Sequence, residues 1–166
     1  MNLTIRPARE EELLGIAELV ADMDPWKRLE KTSADLRKIF VADTLRKVFV
    51  ACQRDLLAGT VQVRYAGALG RLGSLGVALD EKYRDGGYIH VLAAFPGFQG
   101  QQIGAALLDY AEALTSEVSP RVYLCVSEVN TGARKFYEHH GYRKIGAIEN
   151  CLMQGNTEYI MLKDLS

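Results

Sequence analysis

The run GGYIHVLAAFPGFQGQQIGAALLDYAE, Gly86 to Glu112, limits the fold more than any other part of the chain. It opens as a strand, passes Pro96 and the glycines Gly97, Gly100 and Gly104, and continues with Ile103, Leu107, Tyr110, Ala111 and Leu114 at helical spacing. A strand joined to a helix through residues with little or no side chain leaves the first N–H groups of that helix bare. Those groups, together with the helix dipole, attract anions, and phosphates in particular. Ala105 and Ala106 extend the bare surface. Two other phosphate motifs are missing: no Walker lysine precedes a Ser or Thr here, and no GxGxxG follows the strand, which disfavours a dinucleotide-binding Rossmann protein. A different pyrophosphate ligand is implied.

The remaining pattern surrounds this unit with more strands and helices. LTIR forms a short strand before Pro7, and Leu13, Ile16, Ala17 and Val20 make an amphipathic helix. Pro25 breaks the pattern. Thr32 or Ser33 then caps a second helix running through Lys47, with Leu36, Ile39 and Phe40 facing inward. VFVACQ and LAGTVQVRY are β-branched runs on either side of Gln53 to Asp55, the pattern of a hairpin. The glycine-rich segment Ala66 to Asp85 reads either as a strand with a long connection or as a loop near a ligand. RVYLCVS is a strand, NTGARKFYEHH a helix stopped by Gly141, and YRKIGAIEN and TEYIMLKDL are two more strands. This order predicts a mixed α+β fold, one mixed sheet covered by helices, and 166 residues suit a single domain over 1–166.

Composition narrows the function. With 48% hydrophobic and 25% charged residues the chain has material for a core, and a formal charge of -1 gives it no basic field for a nucleic-acid backbone. The acid-rich stretch Glu10 to Asp24 and the basic one Lys27 to Lys47 read as solvated helix faces. No stretch approaches the roughly 18 apolar residues of a membrane span. Cys52, Cys125 and Cys151 lie far apart without CxxC spacing, so they are expected to be free thiols, and no metal site is expected. The start MNLTIRPAREEELL lacks the cationic and apolar regions of an export signal, which makes the cytoplasm the expected compartment.

Pro96 followed by QGQQIG, Gln99 to Gly104, resembles the Arg/Gln-x-x-Gly-x-Gly/Ala signature of the GCN5-related N-acetyltransferases, the GNAT family. NTGARKFYEHHGY resembles the family's second signature through Asn130, Ala133, Tyr137, Gly141 and Tyr142. Together the two motifs carry the resemblance over nearly the whole chain. It implies a central mixed, mostly antiparallel twisted sheet of about six to seven strands flanked by about four helices. It also implies acetyl-coenzyme A as co-substrate, with no metal. The pyrophosphate would lie on Gln99, Gly100, Gln101, Gln102, Gly104 and Ala105, and Leu92, Ala93, Ala94, Asn130 and Ala133 would complete the cofactor set. In the family the strand before Pro96 splays from its neighbour, here Val122 to Ser127, and the pantetheine arm enters that gap. One residue departs from the signature: Gln102 stands where the family usually has glycine, and if that position needs a positive φ the substitution costs roughly 1 to 2 kcal/mol.

Acetyl transfer to an amine needs a neutral nucleophile, stabilisation of a tetrahedral oxyanion and a proton for the departing thiolate. The resemblance points to Tyr137 for the proton, and a phenol with an ordinary pKa of about 10 is protonated at neutral pH. A ring packed in the core is the competing reading of Tyr137. A backbone N–H around Leu92 to Ala94 is the expected oxyanion donor. For the base, Tyr88, His90 and Leu92 alternate onto one strand face, and His90, with an ordinary imidazole pKa of about 6.5, suits the task. Glu128 competes, as does a water relay of the kind many family members use. His139 reads as surface and His140 as packing or cleft edge. Trp26 is either a wall of the acceptor pocket or a cover over the core. The expected acceptor is a primary amine on a small molecule or a protein, and the family's final strands often form homodimers. The alternative, from another class, is an acyl-coenzyme A sensor or partner domain without transfer activity.

Overall fold

Arg54 and Asp55 take φ values of 50° and 65°, the left-handed pair that a two-residue hairpin turn requires. The flanking runs therefore pair antiparallel as β2 (Lys47–Gln53) and β3 (Leu56–Arg64), with Gln53 opposite Leu56. The computed structural model describes residues 2–42 and 45–165, with the backbone alone for 39–42. β1 (Leu3–Pro7) pairs antiparallel with β2, and β4 (Gly87–Ala94), β5 (Arg121–Ser127), β6 (Arg143–Ile148) and β7 (Glu158–Asp164) extend the sheet. Its order is β1-β2-β3-β4-β5-β7-β6. β4 and β5 run parallel, whereas β5 with β7 and β6 with β7 are antiparallel.

The helices are α1 (Leu13–Ala21), α2 (Ser33–Ala42), α3 (Ala68–Ser74), α4 (Ile103–Ser116) and α5 (Thr131–His139). Thr32 caps α2 reciprocally: its Oγ1 accepts from the Asp35 amide at 3.2 Å while the Asp35 carboxylate accepts from the Thr32 amide at 3.0 Å. α2 is described over Ser33–Ala42, and it does not run through the expected Lys47, which lies in β2 opposite Val63. Ile39 and Phe40, expected to face inward, have side chains outside the described residues.

The segment Ala66 to Asp85 is neither a strand nor a bare loop, for it contains α3. Ala68 and Leu72, four residues apart, are buried, and the Asp85 carboxylate accepts from the amides of Gly67 at 2.9 Å and Leu69 at 3.0 Å. Gly70 and Gly73 have nothing near them, so they dilute the helical pattern without packing against anything. Five α-helices thus occur among the described residues, where about four were expected.

The chain forms two compact units, Met1–Val63 with Val91–Ala111, and Arg64–His90 with Glu112–Ser166. The first is centred on Ile16, Ala17, Val20, Leu36, Val50, Val91 and Phe95. Each large side chain among them contributes about 1.5–3 kcal/mol on burial. Gly59 of β3 lets α4 settle close to the strands, since a Cβ there would stand 2.6 Å from the Ala93 carbonyl and 3.0 Å from the side chains of Ile103 and Leu107. The second unit is centred on Ala68, Leu72, Tyr88, Tyr123, Ile160 and Leu162. There the Glu112 carboxylate accepts from the Tyr142 hydroxyl at 2.8 Å and from Lys163 at 2.7 Å. Among the described residues no helix is long and apolar enough to cross a membrane.

Candidate functional site

Leaving β4, the chain is anchored by the Phe95 amide, which donates to the Ala58 carbonyl at 2.9 Å, and by the buried Phe95 ring. It then turns through Gly97, Gly100 and Gln102, with φ values of 88°, 76° and 61°. A Cβ on Gly97 or Gly100 would meet nothing within 4 Å, so these glycines serve the left-handed backbone and leave an open surface. Gln99 and Gly100 are exposed. The Gln101 side chain donates to the Gly97 carbonyl at 3.2 Å and steadies the bend.

α4 begins at Ile103, and the Ala106 amide bonds the Gln102 carbonyl at 3.1 Å. The amides of Ile103, Gly104 and Ala105 precede that bond and have no carbonyl within the helix to meet. Among the described residues no backbone carbonyl accepts from Gln102 either. No acidic side chain sits in the first turn of α4, so the helix itself supplies no carboxylate to this positive end. The result is a helix N-terminus suited to an anion. Gln102 does occupy the left-handed region, and the departure from glycine therefore carries the backbone cost of roughly 1 to 2 kcal/mol. Leu92 and Ala94 are half-buried and Ala93 buried, in the same unit as this loop.

His90, Asn130, Ala133 and Tyr137 belong to the second unit. Asn130 and Ala133 meet at the start of α5, where the Asn130 carboxamide accepts from the Ala133 amide at 3.2 Å and caps the helix. Tyr137 is buried, its ring edge-on to Phe136 at 5.3 Å and to Tyr142 at 5.6 Å. Burial pushes its phenol above the ordinary value, so the proton is retained at neutral pH. The half-buried His90 ring lies edge-on to Tyr88 at 4.7 Å. Glu128 is exposed and accepts from the Tyr159 hydroxyl at 3.1 Å. His139 is exposed, while His140 is half-buried with Nδ1 2.7 Å from the Phe136 carbonyl. In the first unit Trp26 is half-buried against the core.

A polar group in the second unit was missed from the sequence. Ser127 Oγ donates to Asn156 Oδ1 at 3.1 Å, and Asn156 Nδ2 donates to the Cys151 carbonyl at 2.9 Å and to the Glu158 carboxylate at 3.3 Å. Burial, first of all, pushes the Cys125 thiol up to about 12 and the Tyr88 phenol well above its usual range. The signal was present in TEYIMLKDL: Glu158 shares its strand face with Ile160 and Leu162, an acid on an apolar stripe. Among the described residues no three His, Cys, Asp or Glu side chains are grouped to hold a metal ion.

Residues 13–142 match the family described as Acetyltransferase (GNAT) family. No curated protein matches the sequence significantly. Among solved structures, NAA60 from Arabidopsis thaliana in complex with acetyl-CoA is similar at a TM-score of 0.74 and 17% identity, covering 98% of each chain. The ribosomal-protein-S18-alanine N-acetyltransferase from Escherichia coli is similar at a TM-score of 0.68 and 18% identity, covering 99% of this chain and 95% of that one. An N-acetyltransferase from Staphylococcus aureus Mu50 gives a TM-score of 0.71 at 13% identity over 100% of both chains. At these identities the likeness is one of fold.

Proposed function

The chain belongs to the GNAT acetyltransferase family, and from that premise we propose that it moves the acetyl group of acetyl-coenzyme A directly to a primary amine, within one domain spanning 1–166. The observation that carries this reading is the bare N-terminus of α4, where the amides of Gln102, Ile103, Gly104 and Ala105 meet no backbone carbonyl among the described residues. These amides hold the pyrophosphate, with Gln99, Gly100 and Gln101 forming the bend around it. The β4 segment Leu92, Ala93 and Ala94 receives the pantetheine arm and offers a backbone N–H to the oxyanion. Asn130 and Ala133, at the start of α5, are assigned to the cofactor by the second motif alone.

In the reaction the amine nitrogen attacks the thioester carbonyl carbon, the C–S bond breaks, and the amine gives up a proton. Tyr137 donates its phenolic proton to the departing thiolate, a role assigned from the second motif, and burial keeps that proton in place at neutral pH until transfer. His90 takes up the amine's proton, directly or through water. Glu128 fits the task less well, tied as it is to Tyr159 on the surface. The similarity to a ribosomal-protein alanine N-acetyltransferase keeps a protein amine beside small molecules as acceptor. A cytoplasmic location and a homodimer through the final strands belong to the same reading.

Measuring acetyl-coenzyme A affinity and thiol release across a panel of amines tests it. Saturable binding with amine-dependent thiol release is expected; binding without release favours the sensor reading, to which the left-handed Gln102 lends support. Failure to bind acetyl-coenzyme A defeats both.

A further inference from the structure

α5 ends in a stop that sets one aromatic ring against another. Gly141 takes a φ of 91° and its amide donates to the Glu138 carbonyl at 3.1 Å, while the next amide, that of Tyr142, returns to the Tyr137 carbonyl at 3.0 Å. This is the Schellman pattern, in which the second residue past the helix packs on a residue of its last turn. Tyr142 and Tyr137 hold those two places, with their rings edge-on at 5.6 Å. The contact that closes the helix thus falls on the side chain assigned as general acid.

A phenylalanine at 142 would complete that contact, yet the buried Tyr142 carries a hydroxyl as well. The hydroxyl donates to Glu112 Oε1 at 2.8 Å, and Lys163 Nζ donates to Glu112 Oε2 at 2.7 Å, so both oxygens of a carboxylate only 9% exposed are engaged. Lys163 also returns to the helix stop. A Cβ on Gly141 would stand 3.5 Å from Lys163 Cε, and Lys163 Nζ lies 5.7 Å from the centre of the Tyr142 ring. Replacing a buried ionic group of this kind by apolar residues is often neutral or stabilising, so stability alone does not account for it. What the polar group adds is direction: a hydrogen bond to a carboxylate fixes where the far end of the Tyr142 ring points, which an apolar contact leaves free.

We infer that Glu112 is a positioning residue for acetyl transfer, acting through Tyr142: it holds the Tyr142 ring by its hydroxyl, and that ring holds the Tyr137 ring in the orientation from which its phenol reaches the departing thiolate. Lys163 occupies the second oxygen and keeps the carboxylate from turning away. All four residues belong to the second unit, so nothing is required of the first. Misplacing a reacting group even slightly slows the chemical step, which is how a residue without substrate contact affects turnover. The inference rests on the acetyltransferase reading, with Tyr137 as its general acid.

A double-mutant cycle on the full chain tests it, with the amine that best drives thiol release from acetyl-coenzyme A. Tyr142→Phe keeps the ring and removes the hydrogen bond, so kcat should fall by about 10-fold with the KM of the amine and the affinity for acetyl-coenzyme A unchanged. Glu112→Gln, which puts an amide donor in place of one carboxylate oxygen, should lower kcat in the same way and keeps the test available if Tyr142→Phe does not fold. In a chain that already carries Tyr137→Phe neither change should lower kcat further, because the phenol they orient is gone. The Tyr137 ring signals of the isotope-labelled chain should shift in both variants. The inference is overturned if the folded variants turn over as the parent does, if the loss appears in KM or cofactor affinity instead of kcat, if it multiplies with that of Tyr137→Phe as a general structural defect would, or if the Tyr137 signals stay unmoved. Parent-like turnover by Tyr137→Phe alone removes the general acid, and a parent chain that releases no thiol overturns the acetyltransferase reading; either result takes this inference with it.

Discussion

Gln102 combines a side chain with a backbone torsion that favours glycine, at the position where the chain turns into α4. Replacing it with glycine relieves the left-handed strain but adds freedom to the unfolded chain, so a net gain of about 0.5–1 kcal/mol is expected, or a melting temperature higher by about 1–4 °C. A lower melting temperature would show that the Gln102 side chain earns its place by another interaction. Its departure from the family signature was legible in the sequence; the sign of its φ was not, because the torsion is set by the turn. Tyr137 presents the reverse case. Its identity was legible from the second motif, while its deep burial came from packing against Phe136 and Tyr142. Tyr137→Phe should lower kcat by about 10²-fold with acetyl-coenzyme A affinity unchanged, as for loss of a general acid. Unchanged turnover would remove Tyr137 from the mechanism.

At the scale of elements, α4 is aimed by its seat on the strands. Gly59→Ala would press a methyl group toward the Ala93 carbonyl, and overpacking of this kind costs about 1–3 kcal/mol. Chemical denaturation of the variant should show that loss, and parent-like stability would mean that α4 is not closely seated. β1 is tied to the short 3-10 turn at Glu10–Glu12 by Arg6, whose guanidinium donates to both oxygens of Glu12 at 2.9 and 2.7 Å. The Arg6 hydrogen bonds hold Glu12 down to about 2 from 4.5. A carboxyl group lowered on folding stabilises the protein above its unfolded pKa, and that contribution fades as pH falls through the folded value. The stability gap between the parent and Glu12→Gln, about 1 kcal/mol for so accessible a pair, should therefore close between about pH 5 and pH 2. A gap that stays constant across that range would show that the pair is not the cause. Helices with continuous apolar stripes, α1 and α4, were legible; α3 was not, because Gly70 and Gly73 interrupt it and its cap comes from Asp85, distant in sequence.

Over the whole molecule, alternation and β-branched runs sufficed to locate the strands, and the β2–β3 hairpin pairs locally. The order in which β7 comes between β5 and β6 depends on long-range pairing that no local pattern encodes. The candidate site divides in the same way. The glycine loop and the α5 motif are contiguous stretches and were read directly, whereas the group of Ser127, Asn156 and Glu158 forms only when separate strands align. Acetyl transfer by this chain depends on the N-terminal amides of α4 binding a diphosphate. Titration of the isotope-labelled chain with coenzyme A, followed at the backbone amides by NMR, tests this most directly. Saturable shifts are expected at Gln102, Ile103, Gly104 and Ala105 with a dissociation constant well below millimolar; amides that stay unmoved at millimolar coenzyme A would contradict diphosphate binding there.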